Sequence, residues 1–151
     1  MIERKPELTE AFQQWVLSNI PMLNYMQLSF DSFNEQGLVM SCPLEPNIND
    51  KGTGFGGSIG TLATICGWTY TTIHAKAAIA NPEAMIVEQS MSFKAPVTGS
   101  FKAICSSKIP DDFYQRLQEG RSGKLNLEIF IQSEGVEAAT YKGFYIARAK
   151  S

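Results

Sequence analysis

The chain has 151 residues, a formal net charge of -2 at pH 7, 44% hydrophobic residues and 19% charged residues. This length fits one domain, and this balance of residues is typical of a folded globular protein and excludes a disordered one. A slightly acidic chain also lacks the basic face that nucleic acid requires, so we expect no nucleic-acid partner.

The N-terminal residues and the cysteines bear on location and cofactors. Residues 1–7 lack the apolar segment and cleavage site of a secretory signal, which predicts a cytoplasmic protein. Segment 52–75 is uncharged, but its Gly, Ser, Thr and His74 favour a buried helix over a membrane span. The three cysteines are an odd number without a Cys-x-x-Cys pair, which disfavours a disulfide framework and a structural zinc site. We expect no metal and no other cofactor. The cysteines are expected in the core: Cys42, Cys66 and Cys105.

The predicted elements begin with an amphipathic helix. Apolar residues at helical spacing follow Pro6, which suits a first helical turn, and the pattern ends before Pro21. Alternating residues at 26–30 and 38–44, on either side of a polar turn at 34–37, predict an antiparallel hairpin. The long uncharged helix follows.

Four more strands are predicted after the break at Asn81-Pro82. Alternating segments place them at 85–93, 100–106, 124–132 and 137–148. Between the second and third, a short helix is predicted from Pro110 to Gly120.

These elements predict an α+β fold and one domain, residues 1–151. Because the long helix lacks charges on every face, we expect a curved antiparallel sheet to wrap it. Such a sheet leaves an edge strand that a second copy can cover, which favours a homo-oligomer.

The loop before the long helix carries the chemistry. Residues 49–58 read Asn-Asp-Lys-Gly-Thr-Gly-Phe-Gly-Gly-Ser and lead directly into the helix. Unpaired amides at a helix start favour a negatively charged oxygen, either of a phosphate or of the oxyanion formed in acyl transfer. The phosphate-loop motif is absent, because no Lys follows Gly56 or Gly57.

The loop and the order of elements resemble the hot-dog fold acyl-CoA thioesterases, particularly the phenylacetate-type branch, over nearly the whole chain. In that branch, an Asn and five spacer residues precede a His-Gly-Gly that opens the helix, and an acidic residue follows two turns later. Asn49, Gly56 and Gly57 match this pattern. Phe55 stands in the His position and Thr64 in the acidic position.

Two further features extend the resemblance. Segment 90–99, an aromatic residue followed by a proline turn, is similar to the family's third strand and its exit. The Gly-Thr and Phe-Gly-Gly of the loop resemble the thioesterase domain fused behind an acetyltransferase domain in some bacterial proteins.

The resemblance implies roles for particular residues. We expect the Gly57 amide to donate to the oxyanion, and Asn49 to hold the attacking water or the thioester oxygen. Thr64 would orient water, and Glu88 would offer a carboxylate across a subunit interface. The residues expected to bind substrate are Phe55, Gly56, Ser58, Ile59, Leu62 and Met91.

Each of these residues also has a structural interpretation. The glycine pair could serve only to turn the chain, and Asn49 could be a turn or cap residue. Thr64 could pack inside the helix, and Glu88 could belong to a wet strand face. His74 is expected to be a buried residue rather than a base.

The sequence therefore predicts a homodimeric or homotetrameric thioesterase that acts on an acyl-CoA or acyl-carrier-protein thioester. The first alternative is a non-catalytic protein of the same fold that binds an acyl thioester or a fatty acid. The second is a hydratase or dehydratase, which would need a His with an acidic partner. The Phe in the His position favours apolar acyl chains, and the lysines available for coenzyme A phosphates are Lys51, Lys94 and Lys102.

Overall fold

The structure is a computed structural model that describes residues 4–151. In chain order its elements are α1 (Glu10–Asn19), α2 (Met22–Tyr25), β1 (Ser29–Asn34), β2 (Gly37–Cys42), a 3-10 turn (Glu45–Asn47), α3 (Gly56–Ala78), β3 (Pro82–Phe93), β4 (Phe101–Cys105), α4 (Asp111–Gln118), β5 (Gly123–Ser133) and β6 (Val136–Ala149).

The six strands form one antiparallel sheet in the order β1-β2-β4-β5-β6-β3. Helix α3 is largely buried and contacts every strand from β2 to β6. The predicted α+β fold, with a curved sheet around one long apolar helix, is confirmed. Strand β3 lies at one edge of the sheet and pairs only with β6 among the described residues.

A glycine in the middle of α3 sets how closely the helix approaches the sheet. A Cβ atom on Gly67 would collide with the ring and hydroxyl of Tyr145. Tyr145 is completely buried, and its hydroxyl donates a hydrogen bond to the Thr64 carbonyl at 2.7 Å. Close contact between helix and sheet therefore depends on the missing side chain at Gly67.

Three boundaries differ from the prediction. Helix α1 begins at Glu10 rather than near Pro6, because the Thr9 hydroxyl caps it by accepting from the Phe12 amide at 3.1 Å. Strand β1 begins only after the short helix α2 and a loop. Strand β3 begins earlier than expected, at Pro82, since proline is tolerated as the first residue of an edge strand.

The remaining elements follow the predicted order, including α4, which is an insertion between β4 and β5. The three cysteines are buried and unbonded, as predicted. Among residues 4–151, no helix combines the length and apolar character that crossing a membrane requires.

Candidate functional site

The loop before α3 is closed on itself by Asn49. Its side-chain oxygen accepts from the amides of Lys51 at 2.9 Å and Thr53 at 3.1 Å. Its side-chain nitrogen donates to the Thr53 hydroxyl at 3.0 Å and the Gly54 carbonyl at 3.3 Å. Both ends of the Asn49 amide are therefore engaged within the loop, which is the geometry of a turn residue.

Two backbone hydrogen bonds fix the loop to the rest of the protein. The Gly54 amide donates to the Val97 carbonyl at 2.8 Å, and the Phe55 amide donates to the Asn47 carbonyl at 2.7 Å. Asn47 is buried, and its side chain donates to the Met26 carbonyl at 3.0 Å. The chain thus reaches the start of α3 in a fixed direction.

The first amides of α3 are not used by the protein. Phe55 is the N-cap residue and supplies no capping side-chain bond, and the first helical bond runs from the Ile59 amide to the Phe55 carbonyl at 3.0 Å. Within residues 4–151, no oxygen accepts from the amides of Gly56, Gly57 or Ser58. These donors lie at the positive end of a 23-residue helix, which favours a negatively charged oxygen.

A hollow of about 300 Å³ lies between α3 and the edge strand β3. Its lining residues are Gly60, Gln89, Ser90, Met91, Phe93 and Tyr141. It is therefore built from Gly60 on the second turn of α3, the second half of β3 and the neighbouring strand β6.

Small residues on α3 create this space. A Cβ atom on Gly56 would come no nearer than 3.6 Å to the Phe93 ring, and one on Gly60 no nearer than 3.9 Å to the Met91 sulfur. Gly56, whose amide is unpartnered, therefore lies next to Phe93 at the margin of the hollow, one helical turn before Gly60. An acyl group entering the hollow would pass beside the free amides.

A hydrogen-bonded network joins Gln89 and Tyr141, which line the hollow, to Thr64 on α3. The Thr64 hydroxyl lies 2.8 Å from both the Gly60 carbonyl and the Gln89 side-chain amide, and the Tyr141 hydroxyl lies 2.9 Å from the same end of that amide. The Tyr141 and Tyr145 hydroxyls are 2.7 Å apart.

The hydrogens of this network fix the orientation of the Gln89 amide. With its oxygen toward both hydroxyls, Thr64 and Tyr141 would each have to donate twice, although each has one hydrogen. With its NH₂ group there, Thr64 donates to Gly60, Tyr141 donates to Tyr145, and Tyr145 donates to the Thr64 carbonyl. The Gln89 oxygen then remains free to accept a hydrogen bond.

Gln89 is a candidate that the sequence analysis missed. A β-bulge between Ile86 and Glu88 shifts the alternation of β3, so that Gln89, Met91 and Phe93 share the face toward α3. The sequence offered one signal for it: Gln89 is a polar residue that alternates with two apolar residues, Met91 and Phe93, on one face of the strand.

The structure places Glu88 on the other face of the sheet. It is opposite Phe144 on β6 and lines a shallow outer groove together with Lys142 and Asn126. Its side chain is directed away from α3. Within the chain, Glu88 is therefore not brought to the hollow, because the bulge gives that position to Gln89.

The expected substrate-binding residues divide into two groups. Met91 lines the hollow, and Phe55 is 53% exposed with its ring over Gly57, where a Cβ atom would come within 2.5 Å of it. Ser58 is partly buried beside them on the first turn of α3. Ile59 and Leu62 lie in the core instead, since their positions on the helix face away from β3.

His74 lies far from this site. It is 17 residues beyond Gly57 on the same helix, which corresponds to about 25 Å. Its Nδ1 is 2.7 Å from the Tyr114 hydroxyl, its ring packs on Tyr70, and burial lowers its pKa to about 4. Across residues 4–151, no group of His, Cys, Asp or Glu side chains is arranged to hold a metal ion.

Comparison with known proteins agrees with this geometry. Residues 9–149 match the family described as "Putative thioesterase (yiiD_Cterm)". A protein of Shewanella oneidensis described as a putative thioesterase has 31% sequence identity and a TM-score of 0.82, over 91% of this chain and 94% of that one.

Two other solved structures share the fold. A protein of unknown function from Chlorobaculum tepidum has 25% identity and a TM-score of 0.85, over 93% of this chain and 94% of that one. A mutant of the phenylacetic acid degradation protein PaaI from Thermus thermophilus has 15% identity and a TM-score of 0.61, over 85% of this chain and 98% of that one. The chain has the hot-dog fold and belongs to the YiiD C-terminal family of putative thioesterases.

Proposed function

We propose that this chain hydrolyses an acyl thioester, carried by coenzyme A or an acyl carrier protein, at the start of α3. The observation that carries this proposal is the group of unpartnered amides at Gly56 and Gly57, one helical turn before Gly60 and next to Phe93, both of which line the hollow. A thioester carbonyl bound there gains negative charge as water adds to its carbon, and the two amides and the helix dipole stabilise that charge. Loss of one such donor typically reduces rate about a hundredfold or more.

The remaining steps use water and the Thr64–Gln89 pair. The free Gln89 oxygen accepts a hydrogen bond from a water molecule and directs it at the carbonyl carbon, while the amide NH₂ holds Thr64. The tetrahedral intermediate then re-forms its carbonyl as the carbon–sulfur bond breaks. The added water loses a proton to solvent, since no described residue that lines the hollow is a base. The leaving thiolate takes a proton from solvent, and the acid is released as its carboxylate.

Asn49 acts in this scheme by holding the loop. Its side-chain hydrogen bonds to residues 51–54 fix the direction in which Gly56 and Gly57 present their amides. Phe55 and Met91 supply apolar contacts to the acyl chain at either side of the hollow.

We also propose that the working form is a homodimer or a tetramer built from it, in which β3 pairs with a second copy. The strand has 12 residues and presents Val87 and Phe93, both more than half exposed, at the sheet edge beside the equally exposed Phe55. A long apolar edge is an unprotected pairing surface. A second β3 strand would extend the sheet without turning it over. The face toward α3 and the opposite face would therefore stay separate, and Glu88, on the opposite face, would remain away from the hollow.

One observation favours a non-catalytic acyl-binding role as the second candidate. The described residues that line the hollow include no carboxylate and no histidine. A site of this kind can hold a thioester without activating water strongly.

A thiol-release assay separates the two candidates. The purified protein is incubated with short, medium and long saturated acyl-CoA substrates and with matched acyl-carrier-protein thioesters, and free thiol is measured. Turnover that saturates with one chain class supports hydrolysis. Saturable binding by calorimetry without thiol release would assign the second role, and neither binding nor release would remove both.

A further inference from the structure

A second cavity, of about 460 Å³, lies near the C-terminal end of α3. It is enclosed by α1, α3, the first residues of β3 and the end of the chain. Its volume is in the range of small-molecule sites. Its walls combine aromatic rings with lysines, chiefly Phe12, Trp15, Trp68, Lys76 and Lys150.

The aromatic wall is flat and partly exposed. The rings of Phe12, Trp15 and Trp68 lie within 20° of parallel, with centroids 6.0 to 6.5 Å apart. The Trp68 indole donates to the Ala84 carbonyl at 3.0 Å, which fixes its plane. Trp15 remains 51% exposed, so an open aromatic face is available to a planar ring.

The lysines give the cavity a positive charge. The Lys76 ammonium lies 4.5 Å from the centroid of the Phe12 ring, and Lys150 lines another wall. The one carboxylate in the lining, Glu83, is bound by Arg148 at 2.9 Å. Among residues 4–151, neither cavity lysine forms an ion pair with an acid.

Packing alone leaves part of this arrangement unexplained. Lys76 near the last turn of α3 is favourable for the helix dipole, and Phe12 is an ordinary core residue. Neither the helix dipole nor core packing requires Trp15 to be half exposed, or requires Lys76 and Lys150 to lie beside the same cavity without an acidic partner among the described residues. The combination matches a ligand that has both a flat ring and negative charge.

This cavity is separate from the hollow at the start of α3. Both lie along the face of α3 that is turned toward β3, but two hydrogen bonds between α3 and β3 lie between them. One joins the Thr64 hydroxyl to the Gln89 side-chain amide at 2.8 Å, and the other joins the Trp68 indole to the Ala84 carbonyl at 3.0 Å. Gly60 and Trp68 are also eight residues apart, about 12 Å along the helix. A ligand in one site therefore does not occupy the other.

We propose that this second cavity binds a planar aromatic molecule with an anionic substituent. Its ring lies against the Trp15–Trp68 face, and its anionic group is held between Lys76 and Lys150.

The two tryptophans of the chain, Trp15 and Trp68, both line this cavity, so tryptophan fluorescence, excited selectively over that of tyrosine, reports on it. The test is a calorimetric titration with 2-naphthoate, its neutral isostere 2-naphthamide, and cyclohexanecarboxylate, which keeps the charge but lacks a flat ring. We expect 2-naphthoate to bind one per chain, to quench the fluorescence, and to bind at least about fivefold more tightly than either comparison compound.

Three variants locate the bound molecule. Lys76→Gln and Trp15→Leu should each weaken 2-naphthoate about fivefold or more, whereas Lys102→Gln, at an exposed position on β4, should not. Circular dichroism confirms that each variant is folded. Equal affinity for 2-naphthoate and 2-naphthamide, unchanged affinity in both cavity variants, or no binding at low millimolar concentration would overturn the proposal. None of these results bears on thioester turnover.

Discussion

The Thr64 hydroxyl and the Gln89 side-chain amide lie 2.8 Å apart and join α3 to the edge strand β3 beside the hollow. Neither group ionises near neutral pH. Their contact can therefore orient a water molecule, but it supplies no base that could remove a proton from it.

Loss of either partner should reduce turnover while the fold is retained. We expect Gln89→Leu and Thr64→Val to lower kcat by about tenfold to a hundredfold, because the attacking water loses its orientation. Ser92→Ala, on the outer face of the same strand, is the matched control and should retain full kcat. The check is steady-state kinetics with thermal unfolding of each variant; an unchanged kcat in Gln89→Leu would exclude its role.

Two glycines of α3 should respond in opposite directions to the same substitution. Gly60→Ala should stabilise the protein by about 0.5–1 kcal/mol, because the helix gains a better former and the new Cβ has space. Gly67→Ala should destabilise it by about 2–3 kcal/mol, because the Cβ would collide with Tyr145. Urea unfolding measures both. Similar changes for the two variants would refute the packing described for this helix.

The hollow itself can be filled from the same position. Gly60→Leu should reduce kcat/KM for the preferred acyl thioester by at least about tenfold, since the side chain would occupy the space beside Met91. Gly60→Ala is the control, with little effect on kcat/KM. If Gly60→Leu were folded and fully active, the acyl group would have to bind elsewhere.

Asn49 should act through the loop rather than through direct contact with substrate. Asn49→Ala removes the acceptor for two amides, and we expect it to cost about 1–3 kcal/mol of unfolding free energy and to lower activity. Asn49→Asp keeps that acceptor but loses the donor to the Gly54 carbonyl, so it should lose less stability and less activity than Asn49→Ala. Full stability in Asn49→Asp with abolished kcat would instead indicate that the Asn49 nitrogen contacts the substrate.

The free energy of unfolding should decrease as pH falls below neutral, because of His74. Burial lowers the folded-state pKa of His74 from 6.5 to about 4, so the unfolded chain binds the proton first as pH decreases. The contribution is complete above pH 6.5 and is lost as pH falls toward 4, by at most about 2–3 kcal/mol. Urea unfolding from pH 7 to 4 should show a smaller decrease in His74→Asn than in the natural sequence. Parallel curves for the two proteins would argue against this burial effect.

The sequence predicted the architecture well because its clearest patterns are global. A helix without charge must be enclosed, and the alternating segments that follow it supply a sheet long enough to enclose it. The errors lie at boundaries set by single contacts, such as the Thr9 cap of α1. A hydroxyl three residues before the amide that donates to it is visible in the sequence, but whether this cap forms depends on the packing of α1.

The site was less predictable than the fold. The loop and the free amides follow from the order Phe55, Gly56, Gly57, which is local in the chain. The pairing of Thr64 with Gln89 spans 25 positions and depends on how β3 packs against α3. Alternation from Met91 back to Gln89 shows that these two residues share a face, but it cannot show that Gln89 lies opposite Thr64, nor that a bulge between Ile86 and Glu88 interrupts the alternation further back.

The most direct test of the central claim is an NMR titration of glycine-labelled protein with a non-hydrolysable acyl-CoA ketone analogue. The chain contains 12 glycines, so the amide spectrum is simple to assign. We predict the largest downfield proton shifts at Gly56 and Gly57, because hydrogen bonds from these amides to the bound carbonyl would form only in the complex. Saturable binding that shifts neither amide would contradict the proposal that the start of α3 receives the acyl carbonyl.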